Sequence, residues 1–305
     1  MKKRNLVPGM AMAMMVGLLA GCGAPAAETA ATDATTAVTT AATAAAETAT
    51  TKAATEAASE TVTTEAVSGE ETEVYAFIAA SLKNTMEKIK TDYEEKNPGV
   101  TIIYNADSSG TLQKQIEEGA ECDLFFSAAT KQMDALKEGG YLVDGSVTDL
   151  LKNKIVLIKP TGMETKVTGF DNITEASSLA LAGEDVPVGQ YARELFTNMG
   201  ILDQVMAMEI NEGANVTAVL TAVAEGSNEV GIVYATDAAS MSDKVEVIAE
   251  ADDSQVKAAV YPVGLVKNAE ADEAQAEAAA AFKEYLVADE TPLGLFKEAG
   301  FQVSE

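Results

Sequence analysis

From residue 73 onward, short apolar runs alternate with stretches whose apolar residues recur three or four apart. Val74-Tyr75-Ala76-Phe77-Ile78-Ala79 reads as a strand, and Leu82, Met86, Ile89 and Tyr93 then mark one face of a helix that Asn97-Pro98-Gly99 ends. Val100-Thr101-Ile102-Ile103-Tyr104 reads as a second strand, with Leu112 and Ile116 on the helix after it. Asp123–Ser127 is a third strand, before a helix with Met133 and Leu136 that Gly139-Gly140 stops, and Ile155–Ile158 is a fourth, broken by Lys159-Pro160. A second alternating set follows. Leu179–Ala182 reads as a strand, Val186-Pro187-Val188-Gly189 as a turn and Gln190–Met199 as a helix. A further helix opens at Asn215-Val216, and Val230–Tyr234 and Val245–Ile248 are strands. Ala259–Val266 carries Pro262, which predicts a strand near an edge or crossover. Helices through Phe282 and Leu286, then Leu293 and Phe296, end the chain. The alternation predicts an α/β fold in two sets, with the last elements available to rejoin the first.

The amino-terminal part has neither pattern. Lys2, Lys3 and Arg4 precede an apolar run from Met10 to Ala20, a secretory signal too short to span a membrane as a helix. That run ends in Leu19-Ala20-Gly21-Cys22, which resembles the bacterial lipoprotein cleavage box; the resemblance implies that residues 1–22 are the signal and that Cys22 carries lipid. Residues 23–72 are mostly Ala, Thr and Glu, a composition that buries too little apolar surface to offset the entropy of ordering, and read as a disordered tether.

Charge and rare residues narrow the chemistry. A net charge of −27 argues against nucleic acid and anionic lipid surfaces as partners. The chain has no histidine, which removes histidine ligation of metals and any Ser-His-Asp triad. Cysteine occurs only at Cys22 and Cys122, and Cys122 reads as a small buried residue beside a strand. Arginine occurs only at Arg4 and Arg193, so an anion site here is not a guanidinium cluster.

Three strands of the first set end in serine, at Ser81, Ser108-Ser109 and Ser127. Asn105-Ala106-Asp107-Ser108-Ser109-Gly110-Thr111-Leu112 is the clearest of these strand-to-helix turns. A helix begins there with unpaired N–H groups and the positive end of its dipole, so hydroxyls and a glycine at that point suit an anion. An ordinary serine N-cap gives the same local pattern.

Ala79-Ala80-Ser81-Leu82, Ser108-Ser109-Gly110-Thr111-Leu112 with Gln115-Ile116, and Asp123-Leu124-Phe125-Phe126-Ser127-Ala128 resemble the first lobe of the molybdate-binding proteins of ABC transporters. Val186–Ala192, Asn215-Val216, Gly231–Ala238 and Tyr261-Pro262-Val263 continue the resemblance in the family's order, over nearly all of Val74–Val303. It implies a two-lobed type II periplasmic-binding-protein fold with the ligand in the cleft between lobes. The lobes are expected at 73–159 with 254–305, and at 160–253. By the same resemblance, Ser81 and Ser109 supply hydroxyl and backbone donors, Val188 and Val216 backbone N–H groups, and Tyr234 its phenol. Val188 stands where many members have alanine, which a backbone donor tolerates. Ser108 and Ser127 are neighbours without an assigned role.

The implied protein is a lipid-anchored receptor on the outer face of the cell membrane, monomeric, delivering molybdate to an ABC permease. It has no cofactor, no bare metal cation and no catalytic residue. Tungstate, or another tetrahedral oxyanion such as sulfate, is the alternative ligand. A surface hydrolase using Ser81 or Ser109 lacks a Gly-x-Ser-x-Gly elbow, and a scaffold role leaves the ordered motifs unexplained.

Overall fold

Strands β1 (Thr72–Ala79) and β2 (Val100–Asp107) pair in parallel, joined by α1 (Lys83–Lys96) as a crossover helix. The computed structural model describes residues 71–304. The expected signal, Cys22 and almost all of the tether lie outside the described residues. Thr72, expected as the last tether residue, already belongs to β1: it pairs with Val100, and its N–H donates to Gly99 O at 2.8 Å.

From β2 the chain runs through α2 (Ser109–Glu117), β3 (Leu124–Phe126), α3 (Thr130–Glu138) and β4 (Thr148–Asn153). It then leaves this sheet. β5 (Ile155–Pro160), β6 (Leu179–Ala182), β7 (Ile210–Gly213), β8 (Val230–Tyr234) and β9 (Val245–Glu250) form a second sheet in the order β7-β6-β8-β5-β9. Helices α4 (Pro187–Asn198), α5 (Leu202–Met206), α6 (Val216–Ala224) and α7 (Ala235–Ser240) accompany it. The chain then returns. β10 (Ala259–Leu265) inserts antiparallel between β3 and β4, and after α8 (Glu273–Ala288) and α9 (Glu290–Glu298) the short β11 (Gln302–Val303) adds to the edge. The first sheet reads β11-β4-β10-β3-β1-β2. These two mixed sheets with helices are the α/β architecture that the sequence predicts.

Three local expectations are corrected. β5 pairs with β8 and β9, so the first crossing falls at Lys154 and residues 155–159 belong to the second sheet. Nothing in the apolar run Ile155–Ile158 shows which sheet it enters. Val186–Gly189 is not a turn: Pro187 begins α4, where a missing N–H costs nothing because the first helical N–H groups have no intrahelical acceptor. Of the two places expected for Pro262, the edge is corrected and the crossover holds: β10, the strand that returns the chain to the first sheet, lies in that sheet's interior. The register of β10 against β4 shifts between Tyr261 and Pro262, and this irregularity accommodates the residue that cannot donate.

The apolar stripe of α1 packs as its spacing predicts, with Leu82, Met86, Ile89 and Tyr93 buried in one core with Ile78, Phe126 and Phe282. The Tyr93 and Phe282 rings meet edge-on at 4.8 Å. The carboxyl ends of β1 and β2 in one sheet, and of β6, β7 and β8 in the other, all lead into helical turns. In open α/β sheets that is the end where ligands bind.

Candidate functional site

Between the two sheets lies a small, tightly closed chamber, walled by Ala79–Ser81, Asp107–Ser109, Ala128, Val186–Val188, Val216 and Tyr234. The structure brings Ser81, Ser109, Val188, Val216 and Tyr234 around this single space. A wider groove beside Met163, Glu175 and Glu229 lies at the amino ends of β6 and β8, open to solvent and lined by three carboxylates and Lys166. It has neither the strand ends nor the sign of charge that an anion needs.

Helix starts dominate the chamber wall. Ser109 is the first residue of α2, Val188 the second of α4 and Val216 the first of α6. Their N–H groups precede the first intrahelical acceptors, so they remain free to donate. Each helix adds its positive end, worth about 0.3–1 kcal/mol toward a nearby negative charge. All three residues are buried, where screening by water is weak.

The adjacent serines have different jobs. Ser108 Oγ caps α2, accepting the Thr111 N–H at 3.1 Å and bonding Thr111 Oγ1 at 2.8 Å. Ser127 Oγ donates to Ala129 O and accepts the Ala129 N–H, so both its functions are engaged locally. Ser109 Oγ accepts the Ala128 N–H at 2.9 Å, which leaves its own proton unassigned. Ser81, in the single helical turn between β1 and α1, bonds Tyr261 Oη at 3.0 Å. Asn153 orients this pair. The Lys154 N–H donates to Asn153 Oδ1, so the Asn153 amide nitrogen faces Thr236 Oγ1 at 2.8 Å and Tyr261 Oη at 3.4 Å. With Asn153 donating into Tyr261 Oη, the Tyr261 proton is available to Ser81 Oγ, and the Ser81 proton to the chamber.

Tyr234 supplies the least compensated group. Its side chain is 1% exposed, yet its hydroxyl has no partner in hydrogen-bond geometry among the described residues, the Tyr261 hydroxyl being near but not in that geometry. The Tyr261 ring packs edge-on at 5.6 Å, but its hydroxyl is directed to Ser81 and Asn153. Burial, with the Tyr261 and Tyr191 hydroxyls and the Asp237 carboxyl near by, holds the Tyr234 phenol well above its usual range, so it remains a proton donor. An unsatisfied buried polar group costs about 1–3 kcal/mol.

Two features of the site had no signal in the sequence. Arg193 does not line the chamber. Its Nη1 donates to Ala182 O at 2.8 Å and Gly189 O at 2.9 Å, bracing the loop that delivers Val188. Asp107 does line it, the one charged side chain in the wall. The residues expected at the site included no carboxylate, and neither strand periodicity nor helix capping indicates which way a side chain at a strand end faces.

Asp237, behind the chamber, is buried, and burial pushes its carboxyl from 3.8 up to about 7, against the opposing Tyr234 N–H. The folded state therefore holds this proton more tightly than the unfolded chain does. The associated stability is complete below pH 3.8 and is lost as pH rises through about 7. Asp237→Asn should remove that component: the difference in urea midpoint between variant and parent changes across this window and is flat outside it. The full change is up to about 4 kcal/mol, from about 1.36 kcal/mol per unit. A constant difference would contradict the assignment.

The sequence profile of the bacterial extracellular solute-binding proteins matches residues 74–302. A putative ABC transporter substrate-binding lipoprotein, YvgL of Bacillus subtilis, is 39% identical over 224 residues, covering 73% of this chain and 84% of that one. The molybdate-binding protein ModA of Haemophilus influenzae is 34% identical over 203 residues, 64% of this chain and 78% of that one. Among solved structures, the substrate-binding domain of a putative molybdenum ABC transporter from Clostridium difficile superposes with a TM-score of 0.58 at 35% identity, covering 76% of this chain and 99% of that one.

Proposed function

This chain belongs to the bacterial extracellular solute-binding protein family, and we propose that it is the molybdate-binding component of an ABC importer. The observation that carries the reading is the Tyr234 hydroxyl, buried without a partner among the described residues in a chamber lined by neutral donors and helix starts, with Asp107 the one charged side chain in its wall. A tetrahedral dianion supplies what this arrangement lacks. Its oxygens accept from the Tyr234 and Ser109 hydroxyls, from Ser81, and from the N–H groups of Ser109, Val188 and Val216. Charge-assisted hydrogen bonds of this kind contribute about 1.5–3 kcal/mol each. Set against desolvation and lobe closure, several of them suffice for sub-micromolar binding.

The chain performs no chemistry on the ligand. It holds the oxyanion and presents it to a membrane permease, as the relatives' descriptions as ABC transporter components support. Lipid on Cys22 would keep it on the outer face of the membrane with residues 23–70 as the tether, and it acts as a monomer. Molybdate and tungstate carry the same charge and nearly the same size, so both are ligands on this reading, and sulfate is distinguished by its smaller size.

Tyr234→Phe tests the reading through two signs at once. Losing the donor should weaken molybdate binding by about tenfold or more. Losing the orphaned hydroxyl should leave the ligand-free protein as stable as the parent or more so. A variant that keeps its affinity, or loses stability and affinity together, would count against a ligand-facing phenol.

A further inference from the structure

The acidic side chain in the chamber wall is held from the opposite lobe. Asp107 ends β2 in the first sheet, while Asn215 caps α6 in the second. Asp107 Oδ1 accepts the Ser108 N–H at 2.7 Å and the Asn215 amide NH2 at 3.0 Å. The Ala218 N–H donates to Asn215 Oδ1 at 3.0 Å, so the nitrogen end of that amide faces Asp107. This bond crosses the cleft directly beside Ser109 and Val216. Asn153 also bonds Thr236 between the lobes at 2.8 Å, but next to the crossing at Lys154 rather than at the helix starts, and the remaining contacts across the cleft are weaker. Lys114 Nζ meets Asp185 Oδ2 at 2.8 Å, but both side chains are more than half exposed, where such pairs contribute little. Gln132 and Gln190 are 3.4 Å apart.

We propose that Asp107 and Asn215 form a cross-cleft clasp that sets anion affinity through lobe closure, without either side chain contacting the anion. A carboxylate in an anion chamber would by charge alone oppose a dianion. Two donors on one oxygen offset that charge, and the second donor exists only when the lobes are shut. The carboxylate therefore favours closure while it disfavours the bare anion, and the clasp predicts that closure is the larger effect. A receptor with this bond is partly pre-closed, which raises apparent affinity by raising the fraction of competent molecules.

The affinity arm rests on the molybdate reading; a second arm needs no ligand. Asn215→Asp keeps a good helix cap but sets two carboxylates against each other across the cleft. Molybdate affinity should fall about tenfold or more, mainly through faster dissociation. In ligand-free protein, hydrogen exchange at amides of 186–190 and 215–220 should accelerate. Adding Asp107→Asn to Asn215→Asp restores a donor–acceptor pair with its polarity reversed, and should recover both affinity and protection. Asp107→Ala supplies an independent sign: it should weaken binding although it removes a negative charge. Tighter binding by Asp107→Ala, unchanged exchange in Asn215→Asp, or a double variant no better than Asn215→Asp would each overturn the clasp. If the parent bound no molybdate while exchange responded as described, the function reading alone would fail.

Discussion

Gly110→Ala is expected to leave each lobe folded and to reduce molybdate affinity by more than about 100-fold, close to 3 kcal/mol. Gly110 is the second residue of α2, and its backbone is not in the left-handed region. Alanine suits that helical position better by about 0.5–1 kcal/mol. The obstacle lies across the cleft. A Cβ on Gly110 would stand 2.0 Å from the carbonyl oxygen of Asp185 and 3.0 Å from its carbonyl carbon. Those are backbone atoms of the second lobe and cannot rotate away, so relief comes only from the lobes separating. Separation draws Val188 and Val216 away from Ser81 and Ser109 and leaves an anion half-coordinated. Calorimetric titration together with a thermal melt reads both halves of the expectation. Retained affinity would mean that the closed approach of α2 to Asp185 is not needed for binding.

Ser109→Ala is expected to lower affinity by about 10- to 150-fold, from about 1.5–3 kcal/mol for a hydrogen bond to a charged ligand. It should also lower stability, because the Ala128 N–H that now donates to Ser109 Oγ at 2.9 Å is left buried without a partner. The neighbouring Ser108→Ala separates this effect from general damage to the helix start. Ser108 caps α2 through Thr111, so its loss should cost about 0.5–2 kcal/mol of stability with little change in affinity. Equal affinity losses at the two positions would argue that the turn matters only as a structural unit.

The contrast between these serines marks the limit of what the chain discloses as a string of residues. Apolar runs leading into Ser81, Ser109 and Tyr234 were legible because strand and helix periods change sharply there. Which serine caps and which faces the chamber was not legible from the residues, because both lie at one strand-to-helix turn. Only the family resemblance singled out Ser109, Val188, Val216 and Tyr234, and the structure brings those residues around one chamber. β4 went unread because Asp149 and Lys152 interrupt its short apolar pair Leu150-Leu151. The crossing at Lys154 was hidden because sheet membership is a tertiary property: β4 and β5 are separated by one residue yet pair with different partners. Asp107 and Asn153 act through groups far away in sequence, Asn215 and Tyr261, and no local pattern encodes such pairs.

The proposed function requires that neutral donors at helix starts hold a fully ionised tetrahedral oxyanion between the lobes. Isothermal titration of the protein with molybdate, tungstate, sulfate and phosphate tests it most directly. One-to-one, sub-micromolar binding of molybdate and tungstate is expected, with sulfate and phosphate far weaker. Preference for phosphate, or no binding to any of the four, would contradict it, and preference for sulfate would overturn molybdate as the ligand.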